Sequence, residues 1–223
     1  AYLRKYQQDF FKSASNPKEK GGIEGYHFVE PFDQNRRKAF VDFLLTHQIK
    51  VYQNTDGYYV PLKQPQRRMV QTMFETYDKY RDSVFYDASA WSVANFYNIT
   101  YRGVKSFRYE SEVTSATNVI KQHDLDKASY AYIIDWDDYN TPAALYFLQS
   151  KGVKVASAFK PFTIETKKGK QGFNYGSLLI PVSKQKLNTE EVYALVKKVK
   201  EPFQVTIYGT EIGYSLQGID LGS

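Results

Sequence analysis

From Tyr130 to Ile134 the chain runs YAYII, an apolar, aromatic and β-branched stretch with no charged break. That pattern predicts a strand buried on both faces. Asp135-Trp136-Asp137-Asp138-Tyr139-Asn140 follows as a polar and aromatic crossing. Thr141 offers an N-cap oxygen, and Pro142 suits a first helical turn because it has no N–H to lose. Ala143, Ala144, Phe147 and Leu148 mark the apolar face of a helix. Gly152 supplies a left-handed stop, and Val153 to Ala156 reads as a second strand.

The pattern occurs twice. Tyr26 to Tyr52, YHFVEPFDQNRRKAFVDFLLTHQIKVY, aligns without a gap on Tyr130 to Ala156 when moved by 104 positions (130 − 26). Tyr26 falls on Tyr130, Phe32 on Trp136, Asp33 on Asp137, Phe43 on Phe147 and Leu44 on Leu148. Gln48 replaces the Gly of the second copy, which weakens the left-handed stop there. Beyond this, Tyr58-Tyr59-Val60-Pro61-Leu62 resembles Leu178-Leu179-Ile180-Pro181-Val182, and a helical pattern follows each. The spacing predicts two copies of a β-α-β-β-α unit, packed as an α/β protein with mixed, mainly parallel sheets.

Within this frame, residues 1–22 form a helix and a turn-rich linker, the helix carrying Leu3, Tyr6, Phe10 and Phe11. Residues 23–82 form the first unit, with Asp33 or Asn35 as helix cap and Asn54-Thr55-Asp56-Gly57 as a hairpin turn. A second helix opens at Gln64-Pro65, with Met69, Met73 and Tyr77 on one row and Val70 and Phe74 beside it. Residues 83–128 read as a connection packed through Phe85, Tyr86, Trp91 and Phe96, with a strand-like run from Ile99 to Val104. Residues 129–208 form the second unit and 209–223 a Gly-rich tail. Lys160 to Tyr175, rich in Lys and Gly, reads as an insertion that forms an exposed loop or hairpin tip. Asn188 and Glu191 make a capping-box pattern ahead of Val192, Leu195, Val196 and Val199.

Composition changes this picture little. Hydrophobic content of 42% and charge of 24% are those of a globular chain. No apolar run approaches the ~18 residues of a membrane span. The absence of Cys excludes disulfides, thiolate nucleophiles and Cys-ligated metals. The net charge of +6 comes from basic residues interleaved with acidic ones, without the continuous stripe that nucleic acid requires. Aromatic content of 17%, with 20 Tyr, fits an aromatic core first and a wet binding surface second. The chain opens on Ala1 and closes on Leu221-Gly222-Ser223, which reads as an excised or processed piece.

Four chemistries are weighed against the pattern. His27-Phe28-Val29-Glu30 is a His-x-x-Glu pair of the kind that ligates zinc in carboxypeptidase-type enzymes, with His123 as a third ligand 96 residues on (123 − 27). In a strand, however, positions i and i+3 point to opposite faces. A Ser–His–Asp site lacks its elbow, and no phosphate-binding Gly loop is present. The best candidate is the strand-to-helix crossing. Asp135, Trp136, Asp137, Asp138 and Tyr139 lie there, echoed by Glu30, Phe32 and Asp33. Carboxylates beside aromatics suit a sugar, an amine or a cation, while Asp before a helix is also favoured by capping alone.

Phe40 to Pro65 (FVDFLLTHQIKVYQNTDGYYVPLKQP), Asp82 to Trp91 (DSVFYDASAW), Tyr132 to Phe162 and the closing Gln217 to Ser223 together resemble a known segment. It is the one downstream of the catalytic domain in large bacterial secreted zinc carboxypeptidase-like proteins, next to a region similar to class I glutamine amidotransferases. An amidotransferase- or flavodoxin-like sheet is the fold expected with it. The resemblance implies a secreted or periplasmic, peptide-cleaving parent whose zinc and catalytic residues belong to the upstream domain. It implies no catalytic residue, metal ligand or cofactor in this chain. The expected role is that of a non-catalytic accessory region whose partners are neighbouring domains and a peptide or glycan, with no nucleic acid and no membrane span. The alternatives are a stand-alone sugar- or peptide-binding module at the crossing and a small zinc hydrolase using His27, Glu30 and His123.

Overall fold

The structure, a computed structural model, describes residues 2–15, 22–76, 92–116 and 124–222. It divides into two units, Ala1–Asn118 and Val119–Ser223. The first contains α1 (Tyr2–Ser15), β1 (Gly25–Val29), α2 (Gln34–Thr46), β2 (Tyr52–Asn54), β3 (Gly57–Pro61), α3 (Arg67–Phe74), α4 (Val93–Phe96), β4 (Thr100–Val104) and β5 (Ser111–Glu112). Its sheet has the order β4-β1-β3-β2-β5. The second contains β6 (Ala131–Ile134), α5 (Thr141–Ser150), β7 (Ala156–Ser157), β8 (Phe162–Thr166), β9 (Gly169–Phe173), β10 (Leu178–Pro181), α6 (Thr189–Phe203), β11 (Ile207–Thr210) and β12 (Gln217–Gly218). Its sheets have the orders β11-β6-β10-β7 and β12-β8-β9.

With β8 and β9 set aside, both units follow one plan. The fourth strand lies beside the first, and the third lies between the first and second. This is the split β-α-β arrangement of ferredoxin-like units. The expected mainly parallel, flavodoxin-like sheet is therefore corrected, since every described strand pairing is antiparallel. β1 and β2 do run the same way across the helix that joins them. The turn at Asn54–Gly57 folds β3 back into the space between them, so the parallel strands never touch. An apolar pattern reports burial, not the direction of a neighbour.

The register refines the repeat. Tyr26 pairs with Val60 and Gly103, and Tyr132 pairs with Ile180 and Gly209. The first strands thus correspond at a shift of 106 (132 − 26), not 104. The helices keep 104, with Phe40 and Leu44 falling on Ala144 and Leu148, all fully buried. The difference is two residues of loop between strand and helix. A slip of two preserves which face each side chain takes, so alternation alone cannot reveal it.

The repeat also runs further than its sequence pattern. β4 lies within the stretch read as a connection, and it occupies the place that β11 has in the second unit. Ahead of them, Asn98 (φ 50°) and Gln204 (φ 53°) both adopt the left-handed conformation, and Ile99 and Val205 are both buried. Gln48 (φ 58°) takes the left-handed position of Gly152 (φ 79°), so the stop exists in both copies despite the side chain. Phe96, expected to pack, is 69% exposed; Ala94 is the buried residue of α4. Phe85, Tyr86, Trp91, Tyr77 and His123 lie outside the described residues.

In the first unit, Phe28, Tyr58 and Val60 face α2 and α3, where Phe28 meets Phe40 edge-on at 5.1 Å. Residues 105–110 leave β4 at one edge of the sheet and enter β5 at the other, so they cross its helix-free face. Phe107 stacks on Tyr59 at 4.8 Å and lies 5.2 Å from the His27 ring, while Tyr109 sits 4.3 Å from Tyr52. Asn54 Nδ2 donates to the Arg108 carbonyl at 2.7 Å, tying the strap down. Burial, with Glu24 and Tyr109 adding to it, pushes the Tyr59 hydroxyl up to about 12. Replacing Phe107 by Ala is expected to bring that titration back toward the ordinary 10.0, read by absorbance at alkaline pH. An unmoved titration would show that the strap does not set the burial.

In the second unit, Tyr132, Ile134, Leu178, Ile180 and Ile207 face α5 and α6. Ile133, Leu179 and Tyr208, on the other face, meet Phe162, Ile164 and Phe173 of the β8–β9 hairpin. The insertion read as exposed is thus a second sheet laid over the first, and Ile164 is fully buried. This covering is why YAYII is apolar at every position. α6 carries the expected capping box, with Asn188 Oδ1 accepting from the Glu191 N–H at 2.9 Å and Glu191 Oε2 accepting from the Asn188 N–H at 2.8 Å.

Candidate functional site

The two crossings differ. In the first unit, Glu30 Oε1 accepts from the N–H groups of Phe32 and Asp33, at 3.1 and 2.9 Å. Its Oε2 lies 3.3 Å from Arg36 Nη1. Asp33 caps α2, accepting from the Arg36 N–H at 2.9 Å, and its other oxygen lies 3.4 Å from Arg36 Nη2. These carboxylates satisfy backbone donors that a helix start leaves over. Phe32 is 94% exposed. His27 Nε2 lies 3.3 Å from the Asp56 carbonyl oxygen. The His-x-x-Glu pair is thus engaged in two separate sets of contacts. Among the described residues, no group of three or more His, Asp or Glu is disposed to hold a metal ion.

The second crossing brings three chain segments together. Asp135 Oδ1 accepts from Ser177 Oγ at 3.3 Å and from the Asp137 N–H at 3.4 Å. Asp137 Oδ2 accepts from Asn174 Nδ2 at 3.1 Å. Trp136 lies against Gly176. The Ala158 N–H donates to the Ser177 carbonyl at 2.9 Å, and the Gly176 N–H to the Ala158 carbonyl at 2.7 Å. Asp138 Oδ1 accepts from the Asn140 N–H at 2.8 Å, and Tyr139 is 47% exposed. Thr141 is the first helical residue and not the cap; its buried hydroxyl donates back to the Asp135 carbonyl at 2.7 Å. Asn140 holds the cap position, and its Nδ2 donates to the Phe203 carbonyl at 2.8 Å.

Asn174 and Ser177 are the members that sequence reasoning did not assign. The antiparallel register places Leu178 opposite Ile134, which obliges Ser177 to stand beside Asp135. A parallel third strand would have begun at the far end of the sheet. That assumption hid them.

Burial raises the Asp135 carboxyl above its ordinary 3.8, and the charge of Asp137 adds to it. The folded protein therefore holds this proton more tightly than the unfolded chain. Its contribution to stability is full below pH 3.8 and falls as pH rises through the raised value. Asp135→Asn is expected to gain stability over the parent at pH 7 and to lose that gain by pH 3, measured by urea titration at both. A difference independent of pH would show that burial does not govern this group.

Comparison with protein-family models, with curated proteins and with solved structures finds no match.

Proposed function

We propose that the chain is a non-catalytic accessory region of a secreted zinc carboxypeptidase-like polypeptide. In this reading it packs against neighbouring domains of that polypeptide and helps to hold a peptide or cell-wall substrate. The observation that carries the non-catalytic part is the engagement of His27 with Asp56 and of Glu30 with Phe32, Asp33 and Arg36. Those contacts explain both residues by folding alone. The placement beside a zinc peptidase domain, and with it the secreted location, rests on the resemblance of the stretches around Phe40–Pro65 and Tyr132–Phe162. No helix among the described residues is long and apolar enough to cross a membrane.

A second reading, a stand-alone binding module, is favoured by the exposed aromatic residues at the second crossing. Both readings are tested by zinc content after dialysis together with a carboxypeptidase assay on the purified chain. The expected result is neither bound zinc nor hydrolysis. Stoichiometric zinc that disappears in His27→Ala would overturn the proposal in favour of a small hydrolase.

A further inference from the structure

Among the described residues of the second unit, four exposed aromatic side chains belong to the three segments that meet at the second crossing. They are Trp136, Tyr139, Phe159 and Tyr175, exposed by 39, 47, 69 and 64%. Exposed aromatic residues carried by chain segments that bond to one another mark a candidate contact surface. Trp136 is its anchor. Gly176 adopts φ +83°, and a Cβ there would stand 2.9 Å from the indole Cγ. Only bare backbone lets the ring settle at that position, so the indole is braced on one side and open on another.

On the same segments stand two donor–acceptor pairs, Asp137 with Asn174 and Asp135 with Ser177. Asp137 and Asn174 are exposed and present a carboxylate and an amide to solvent, acceptor and donor for sugar hydroxyls, while Ser177, 1% exposed, holds Asp135 from behind. We infer that the second crossing is a binding site for a neutral glycan, whose C–H face stacks on Trp136 while its hydroxyls bond to Asp137 and Asn174. A pyranose ring has that division, an apolar face with a rim of groups that both donate and accept. A cationic ligand would favour ionised carboxylates, whereas burial here works against ionisation of Asp135.

The first unit lacks the parts. Among the described residues, no hairpin supplies its crossing, Glu30 to Asp33, with counterparts of Asn174, Gly176 and Ser177. One site per chain is expected, built by the insertion that sets the copies apart.

This inference rests on the non-catalytic reading, in that the sugar is held and not cleaved. The test is calorimetric titration of the whole chain with a panel of neutral tetrasaccharides of glucose, N-acetylglucosamine, mannose and xylose, with tetra-alanine as the peptide comparison. At least one tetrasaccharide should bind with a Kd of about 1 mM or tighter and a stoichiometry of one. Trp136→Ala should weaken it at least tenfold, and Asn174→Ala should weaken it without altering the melting temperature. Tyr146→Ala, an exposed residue of α5, should leave it unchanged. Absence of binding to every tetrasaccharide, wild-type affinity in Trp136→Ala, or binding of the peptide alone would overturn the site. Cleavage of a bound tetrasaccharide would overturn the non-catalytic reading and leave the site standing.

Discussion

Replacing Phe173 by Ala is expected to destabilise the second unit by about 3–5 kcal/mol, the cost of removing a buried aromatic ring and leaving its cavity. Phe173 is 3% exposed. It stacks on Phe162 at 5.1 Å and meets Tyr208 edge-on at 5.3 Å. Around them lie Ile133 and Ile164, both fully buried. The hairpin therefore covers the sheet face opposite the helices, and the loss should be felt well beyond the insertion. Urea unfolding of the whole chain gives the magnitude, and hydrogen exchange assigns it to amides of β6, β10 and β11. Tyr175→Ala, at a residue 64% exposed, should stay within about 0.5 kcal/mol of the parent. A loss below about 1 kcal/mol for Phe173→Ala would return the insertion to the status of a surface loop.

That insertion shows where the sequence was legible and where it was not. The strands and helices that the two copies share could be read in order from periodicity, and so could the hairpin at Asn54–Gly57 and the capping box at Asn188. These depend on contacts within a few residues. The strand order depends on where β3 and β10 insert, which no local pattern records. The assumption of parallel neighbours then displaced Ser177 from Asp135 and hid half of the candidate site. The Lys and Gly of residues 160–175 suggested exposure, yet the alternate positions Phe162, Ile164 and Thr166 are buried. There the period of two was present and the composition masked it. At the first crossing, the echo of Asp137 in Asp33 was real as a residue type. The contacts of Asp33 are those of folding, a helix cap and an ion pair with Arg36.

Gln64→Ala is expected to cost the first unit about 2–4 kcal/mol, while Gln185→Ala costs the second about 1 kcal/mol. The two side chains do the same work. Gln64 Oε1 accepts from the Lys50 N–H at 2.8 Å, and its Nε2 donates to the Pro61 carbonyl. Gln185 Oε1 accepts from the Lys154 N–H at 2.8 Å, and its Nε2 donates to the Pro181 carbonyl at 2.8 Å. Each clamp ties the chain ahead of the second strand to the end of the third, across the gap that a missing ladder bond would leave. Lys50 and Lys154 correspond at 104, but the two glutamines at 121 (185 − 64), because insertions intervene. No gapless alignment could pair them, and their equivalence comes from the bonds alone. The difference in cost follows from water. Gln64 is 4% exposed, so its loss strands a donor and an acceptor in a dry place, whereas solvent reaches the half-buried Gln185 and replaces much of what is removed. Urea titration of the two variants in the whole chain, with hydrogen exchange at Lys50 and Lys154, separates the contributions. Equal losses would mean that the clamp acts through geometry, by holding the third strand between its neighbours, and that the dryness of the first copy adds nothing.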